Sequence, residues 1–264
     1  MAKAETITSA ANPLVKDVRR AIARGVLTEQ GFCAAESFHL LEEALRSDCA
    51  VPLVLAAESA HSGVETRVPA GVKITVLPDS LISSISGTEA SQGVIALVKP
   101  PEWTWEQLFR GRPLVVVLDS LQDPGNAGAI VRAAEAFGAT GVVFLKGTAS
   151  PFNSKTLRAS AGSLFRVPVL HGVEASLARA ALQQHETTLY AAVPGAERPV
   201  RSIHETDLTG NCALIIGNEA RGVSPDLRSA AVDLTIPTAG VESLNAAMAA
   251  SIILYEARRQ RVLT

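Results

Sequence analysis

Cys212-Ala213-Leu214-Ile215-Ile216-Gly217-Asn218-Glu219-Ala220-Arg221-Gly222 is the stretch on which the fold turns: five apolar residues run straight into a polar loop bracketed by glycines. An apolar run without alternation fits a strand buried on both faces, as in parallel sheets covered by helices. An amphipathic piece continues to Ala231, and a second strand spans Asp233 to Ile236. The loop Pro237-Thr238-Ala239-Gly240-Val241-Glu242 follows, and a helix opens at Ser243-Leu244-Asn245 and runs to about Arg259. Ser243 is a good N-cap residue for that helix, whereas an amide at Asn245 is costly to bury unless hydrogen-bonded. Gly217, Gly222 and Gly240 permit close backbone approach to a ligand. Two strands that each deliver such a loop are how an α/β protein presents backbone groups at its strand ends.

Upstream, the strand Pro113 to Leu118 leads into Asp119-Ser120-Leu121-Gln122-Asp123-Pro124-Gly125-Asn126-Ala127-Gly128-Ala129-Ile130-Val131-Arg132, which opens a helix running to about Phe137. Further apolar runs follow at Val142 to Leu145, Val167 to Leu170 and Thr188 to Val193. Helical patterns intervene around Lys155 to Ala161 and at Glu174 to His185. Alternation of this kind predicts a doubly wound parallel sheet.

The first hundred residues read as a smaller α/β domain. Asn12 to Arg24 and Glu36 to Arg46 are helical, Pro52 to Ala56, Lys73 to Leu77 and Val94 to Val98 are strand-like, and Pro78 to Ile85 is a short helix. Lys99-Pro100-Pro101 stops both helix and central strand. The expected organisation is an N-terminal domain at 1–99, a linker at 100–110 and a second domain at 111–264.

A formal net charge of −2 argues against binding nucleic acid by bulk electrostatics. The cations are uneven, however: Lys16, Arg19, Arg20 and Arg24 recur at helical spacing, which suits a local contact with structured RNA as well as an ordinary solvated helix face. No run approaches bilayer length, the sequence opens without an apolar signal segment, and the three cysteines (Cys33, Cys49, Cys212) are far apart. A cytosolic protein with free thiols is expected, with no membrane partner. The five histidines show no metal-ligand spacing, so no metal is assigned.

The loops contain neither a Gly-x-Gly-x-x-Gly after a strand nor a Gly-Lys-Ser, which disfavours dinucleotide and nucleoside-triphosphate sites. Histidines lie outside them, so no Ser–His–Asp set is available. What remains is Arg132, Glu219, Ser243, Asn126 and Asn245: one cation, one carboxylate, one hydroxyl and two amides. That set suits binding a polar ligand and positioning a hydroxyl or phosphate.

Three motifs resemble those of the SpoU branch of the SPOUT RNA methyltransferases. Asn126-x-Gly128-Ala129-x-x-Arg132 is similar to the first, Gly217-x-Glu219-x-x-Gly222 to the second, and Ile236-Pro237-x-x-Gly240 followed by Ser243-Leu244-Asn245 to the third. Ala220 stands where glycine is common, and Thr238 where methionine is common. Asn12-Pro13-Leu14-Val15-Lys16 and Ala35-Glu36-x-x-x-Leu40-Leu41-Glu42-Glu43-Ala44 resemble the N-terminal substrate-binding domain of many such enzymes, with Ser37 in place of a frequent glycine.

The resemblance implies a C-terminal α/β trefoil-knot domain, which general topology rules disfavour, and a homodimer with sites close to the subunit interface. It implies S-adenosylmethionine as cofactor, held by Gly217, Ile236 and Leu244 with Val193 as a wall, and methyl transfer to a ribose 2′-oxygen. Arg132 matches the catalytic arginine, and Asn126, Glu219, Ser243 and Asn245 its polar support. The appended domain makes ribosomal RNA the expected substrate, with Lys16, Arg19, Arg20 and Arg24 as its contacts. A tRNA 2′-O-methyltransferase, a ribosome-targeting antibiotic-resistance methyltransferase and a catalytically silent RNA-binding protein stand as alternatives.

Overall fold

The computed structural model describes residues 5–194 and 200–262. The chain divides into two compact units, one of residues 1–102 with 152–166, the other of 103–151 with 167–264.

In the first unit the elements are β1 (Glu5–Thr6), α1 (Pro13–Arg24), β2 (Cys33–Ala35), α2 (Phe38–Arg46), β3 (Leu53–Ala57), α3 (His61–Glu65), β4 (Lys73–Leu77), α4 (Asp79–Ile85) and β5 (Val94–Val98). Their sheet has the order β1-β4-β3-β5-β2, parallel from β1 to β3 and antiparallel at β3–β5 and β5–β2. Helix α1 starts where Asn12 Oδ1 accepts from Leu14 N at 2.9 Å, with Pro13 in its first turn, and ends at Gly25 in the left-handed region. Its buried face (Val15, Val18, Ile22) joins Leu55, Leu77, Ile82, Ile85 and Ile95 in one core. Two short strands, β1 and β2, escape sequence reading: β1 has two residues, and Cys33-Ala34-Ala35 carries no β-branched residue to mark it.

The second unit runs α5 (Trp105–Leu108), β6 (Leu114–Leu118), α6 (Pro124–Phe137) and β7 (Gly141–Leu145). Helix α7 (Ser154–Ser160) belongs to the first unit. The second unit then resumes with β8 (Val169–Val173), α8 (Ala175–Gln184), β9 (Thr188–Ala192), β10 (Arg201–Ser202), β11 (Cys212–Ile216), α9 (Pro225–Arg228), β12 (Val232–Thr235) and α10 (Ala246–Val262). All seven strands are parallel, in the order β10-β12-β9-β11-β6-β7-β8. Every residue of β6, β7 and β11 is buried, as their unbroken apolar runs require. Strand β8 begins beyond Pro168, which has no N–H for a ladder, rather than at Val167. The expected linker contains α5, closed by a reciprocal capping box between Thr104 and Gln107.

Two further departures from the sequence reading bear on the site. Helix α10 opens at Ala246, not at Ser243, because Asn245 rather than Ser243 caps it: Asn245 Oδ1 accepts from Ala247 N at 2.9 Å and Met248 N at 3.3 Å. Residues 152–166 pack with the first unit, although they lie inside the stretch expected as one domain. Carboxylates of the first unit hold them there. Glu36, 5% exposed, accepts from Ser154 Oγ, faces Arg158 at 3.5 Å, and also takes Ser86 Oγ and Gly87 N; Glu43 pairs with Arg166 at 2.6 Å.

Candidate cofactor and RNA methylation site

A cavity of about 660 Å³ opens at the carboxyl ends of β9, β11 and β12 and is closed by the start of α10. The carboxyl ends of parallel strands are where such sheets bind ligands. Its walls combine apolar side chains (Val193, Ile216, Ile236, Leu244) with the loop Gly217–Val223 and the polar groups of Ser243 and Asn245.

The loop Gly217–Val223 folds back on itself. Asn218 N donates to Gly222 O at 3.0 Å, and Gly222 N returns the bond to Asn218 O at 2.8 Å. A Cβ on Gly217 would sit 2.2 Å from the Gly222 carbonyl carbon, so only glycine closes this neck, and Gly222 adopts φ +69°, where glycine carries no penalty. The Asn218 side chain accepts from Ala220 N and Arg221 N, both at 3.0 Å, and donates to Ser120 O at 2.9 Å.

Glu219 points out of this loop to the entrance of α6. It accepts from Gln122 N at 3.1 Å, Asp123 N at 3.2 Å and Asn126 Nδ2 at 3.3 Å. Partial burial pushes its carboxyl up, but these donors and its own N–H outweigh that and hold it below the usual carboxylate range. Asn126 sits in the first turn of α6, where Asp123 caps the helix by accepting Asn126 N at 2.8 Å. Asn126 Oδ1 in turn accepts from Asn245 Nδ2 at 3.0 Å. The polar groups therefore form one directed chain, from the α10 terminus through Asn245 and Asn126 to Glu219.

Among the described residues, the cavity lining holds no histidine, cysteine or lysine, and no cluster of metal-ligating side chains exists. Arg228, also in the wall, forks onto buried Asp233 with contacts of 3.0, 3.2 and 2.7 Å, so its charge is matched. A site of this composition can hold and orient a polar ligand.

The profile of the SpoU rRNA Methylase family matches residues 113–255, and that of the MRM3-like substrate binding domain matches residues 12–96. The chain belongs to the SpoU rRNA methylase family. It is 34% identical over 96% of its length to the 23S rRNA (guanosine(2553)-2′-O)-methyltransferase of Bacillus subtilis, covering 98% of that protein. The 23S rRNA (uridine(2479)-2′-O)-methyltransferase of Streptomyces viridochromogenes is 35% identical over 72% of the chain and 68% of its own length. The crystal structure of an AdoMet-bound rRNA methyltransferase from Sinorhizobium meliloti superposes with a TM-score of 0.82 at 28% identity, covering 97% of this chain and 98% of that one.

In this SpoU family member, the four residues expected to hold a cofactor, Val193, Gly217, Ile236 and Leu244, all line the cavity, as do Glu219, Ser243 and Asn245. Asn126 joins them through its bond to Asn245. Arg132 does not line the cavity; it lies exposed on α6 and makes no hydrogen bond or ion pair among the described residues. Of the four basic residues of α1, Lys16 and Arg24 are exposed and Arg19 reaches Ser84 Oγ at 3.5 Å. Arg20 is committed to Asp17 at 2.5 Å and to Leu27 O at 3.2 Å, an internal brace. Sequence reading passed over Asn218 and Gln122, which clasp the loops; their only signal was polarity beside a glycine or proline turn.

Proposed function

We propose that this protein is an S-adenosylmethionine-dependent RNA 2′-O-ribose methyltransferase acting on 23S ribosomal RNA. The observation that carries the reading is the cavity: apolar walls at the carboxyl ends of parallel strands, a glycine neck where the backbone itself forms the wall, and no histidine, cysteine or lysine among the described lining residues. Val193, Ile236 and Leu244 suit the adenine, and the backbone of Gly217 and its neighbours suits the polar edges. The cofactor supplies an electrophilic methyl group. The chain's task is to bring a ribose 2′-oxygen into line with it and keep it there, which by itself accounts for a large share of acceleration in such reactions.

Glu219 is a poor candidate for the base that removes the 2′-hydroxyl proton. Three donors occupy its oxygens and depress its proton affinity. Arg132 is no better a base, since a guanidinium stays charged at any physiological pH. Its role is electrostatic: to hold a target phosphate and stabilise the developing 2′-alkoxide. The proton leaves to a phosphate oxygen or to solvent as the methyl transfers.

The protein acts as a homodimer. Met248, Ile252 and Tyr255 form an exposed apolar stripe along α10, and Arg132 is exposed on the neighbouring helix α6, so a second copy seated there brings its Arg132 toward the site. The C-terminal strands and α10 are read as a trefoil knot, supported by the seating of β11 between β9 and β6 and by the family. The first unit binds RNA, with Lys16, Arg19 and Arg24 as phosphate contacts. Free thiols at Cys33, Cys49 and Cys212 suit a cytoplasmic enzyme; no helix is long and apolar enough to cross a membrane among the described residues.

Mapping 2′-O-methylated riboses in total RNA from cells with and without the gene tests the reading. A methyl group missing from one 23S nucleotide in the deletion strain supports it; an unchanged ribosomal RNA map with a missing tRNA methyl moves the substrate to tRNA. Titration calorimetry provides the second arm, and binding of NAD in place of S-adenosylmethionine would overturn the assignment.

A further inference from the structure

Three carboxylates are buried among the described residues: Glu36, Asp119 and Asp233. Glu36 faces Arg158 and Asp233 faces Arg228. Asp119, 4% exposed at the end of β6, has no cation partner among the described residues. A buried carboxylate without a counter-charge is costly, and its retention calls for a specific use.

Its hydrogen bonds show the use. The backbone N–H of Asp119 donates to Ile216 O at 2.9 Å, at the point where the chain enters the Gly217–Val223 loop. The side chain Oδ2 accepts from Ser224 N at 2.7 Å, where the chain leaves that loop. The remaining oxygen takes only a long bond from Ser120 Oγ, 3.4 Å. One residue thus holds both feet of the loop. Between those feet the neck is already closed by Gly217 against Gly222, so little other freedom is left. A carboxylate suits this better than an amide or hydroxyl because it only accepts, and either rotamer presents an acceptor to the Ser224 N–H.

We infer that Asp119 is the positioning residue of the cofactor-holding loop, pinning its exit at Ser224 so that Gly217 to Val223 keep the contour of the cavity wall. This rests on the reading of that cavity as the S-adenosylmethionine site. Asp119 does not line the cavity and takes no part in the chemistry. It acts on cofactor affinity through the loop, and leaves RNA binding by the first unit untouched.

The test compares Asp119→Ala, Asp119→Asn and Ser224→Pro in the full chain. Ser224 has φ −58°, which proline adopts, so the substitution deletes the N–H from the other side of the same bond. Asp119→Ala weakens S-adenosylmethionine binding about tenfold, the loss expected for one strong charge-assisted bond, while RNA affinity without cofactor and kcat at saturating cofactor stay near wild type. Asp119→Asn recovers most of the affinity, since its Oδ1 still accepts from Ser224 N. Ser224→Pro costs at least as much as Asp119→Ala, because it strands the buried carboxylate and sets the ring Cδ against it; Asp119→Ala in the same chain relieves that excess, so the double variant is no worse than Ser224→Pro alone. Wild-type affinity in Asp119→Ala overturns the inference, and so does a parallel loss of cofactor and RNA binding, which marks a residue serving the whole fold. If Asp119→Ala fails to fold, the Ser224→Pro and Asp119→Asn affinities decide. If the wild type itself binds no S-adenosylmethionine, the functional reading fails, and amide exchange decides the pin: faster exchange across 217–224 in the variants supports it, unchanged exchange overturns it.

Discussion

Asn245 Nδ2 donates to Asn126 Oδ1 at 3.0 Å, joining the first turns of two helices whose residues lie 119 positions apart. Because the Asn245 oxygen caps α10 and the Asn126 amide nitrogen faces Glu219, each amide has one orientation only. The bond therefore fixes the polarity of the chain that ends at Glu219.

Asn126→Asp breaks that chain at its last link. It removes the donor to Glu219 and sets two carboxylates about 3.3 Å apart. The expected loss is about 1–3 kcal/mol of stability at neutral pH, together with most of the methylation activity. Urea denaturation of Asn126→Asp with and without Glu219→Gln checks it: the second substitution should restore part of the loss, giving a clear non-additive term.

Glu219 carries a pH signature. Its folded proton affinity is depressed by its donors, so its contribution is complete above the unfolded carboxylate value of about 4.3 and is lost as pH falls through the lower folded value. Wild type and Glu219→Gln should differ by a constant amount from neutral pH down to about pH 5 and converge below about pH 4. Urea midpoints across that range are the measurement; a gap that persists unchanged into the acid range would remove the carboxylate from the clasp.

Arg132 lies outside the cavity, so its loss should not disturb the cofactor. Arg132→Ala and Arg132→Lys are expected to bind S-adenosylmethionine with near wild-type affinity by calorimetry. Single-turnover methylation should fall in Arg132→Lys, which keeps the charge without the planar fork, and further in Arg132→Ala. A lysine variant that regains high activity only above its own pKa would instead show the side chain acting as a base.

The segment 152–166 changes what a cut in the linker does. A nick between Glu102 and Trp103 leaves Ser154, Arg158 and Arg166 bonded to Glu36 and Glu43, so the two fragments should elute together under native conditions. Residues 103–264 expressed alone lose the partners of that segment, and Leu157, Leu164 and Phe165, buried in the intact chain, should aggregate or bind hydrophobic dyes. Size-exclusion chromatography of both preparations distinguishes these outcomes.

The sequence by itself determined the layered α/β architecture, because β6, β7 and β11 are apolar at every position and only burial on both faces accommodates that. It also singled out the loops that line the cavity, although glycines beside polar residues serve ordinary turns as readily. Local signals decided the start of α1, where Asn12 and Pro13 act within one turn. Only the tertiary structure decided what depends on distant partners. Ser243 and Asn245 are equally good caps as written, and the bond from Asn245 to Asn126 accompanies the choice of the second. The allegiance of residues 152–166 is set by Glu36 and Glu43, more than a hundred positions away, against which no periodicity within the segment can argue. The weight carried by Asp119 was invisible for the same reason: a carboxylate after a strand reads as a turn residue until the Ser224 N–H arrives beside it, 105 residues later.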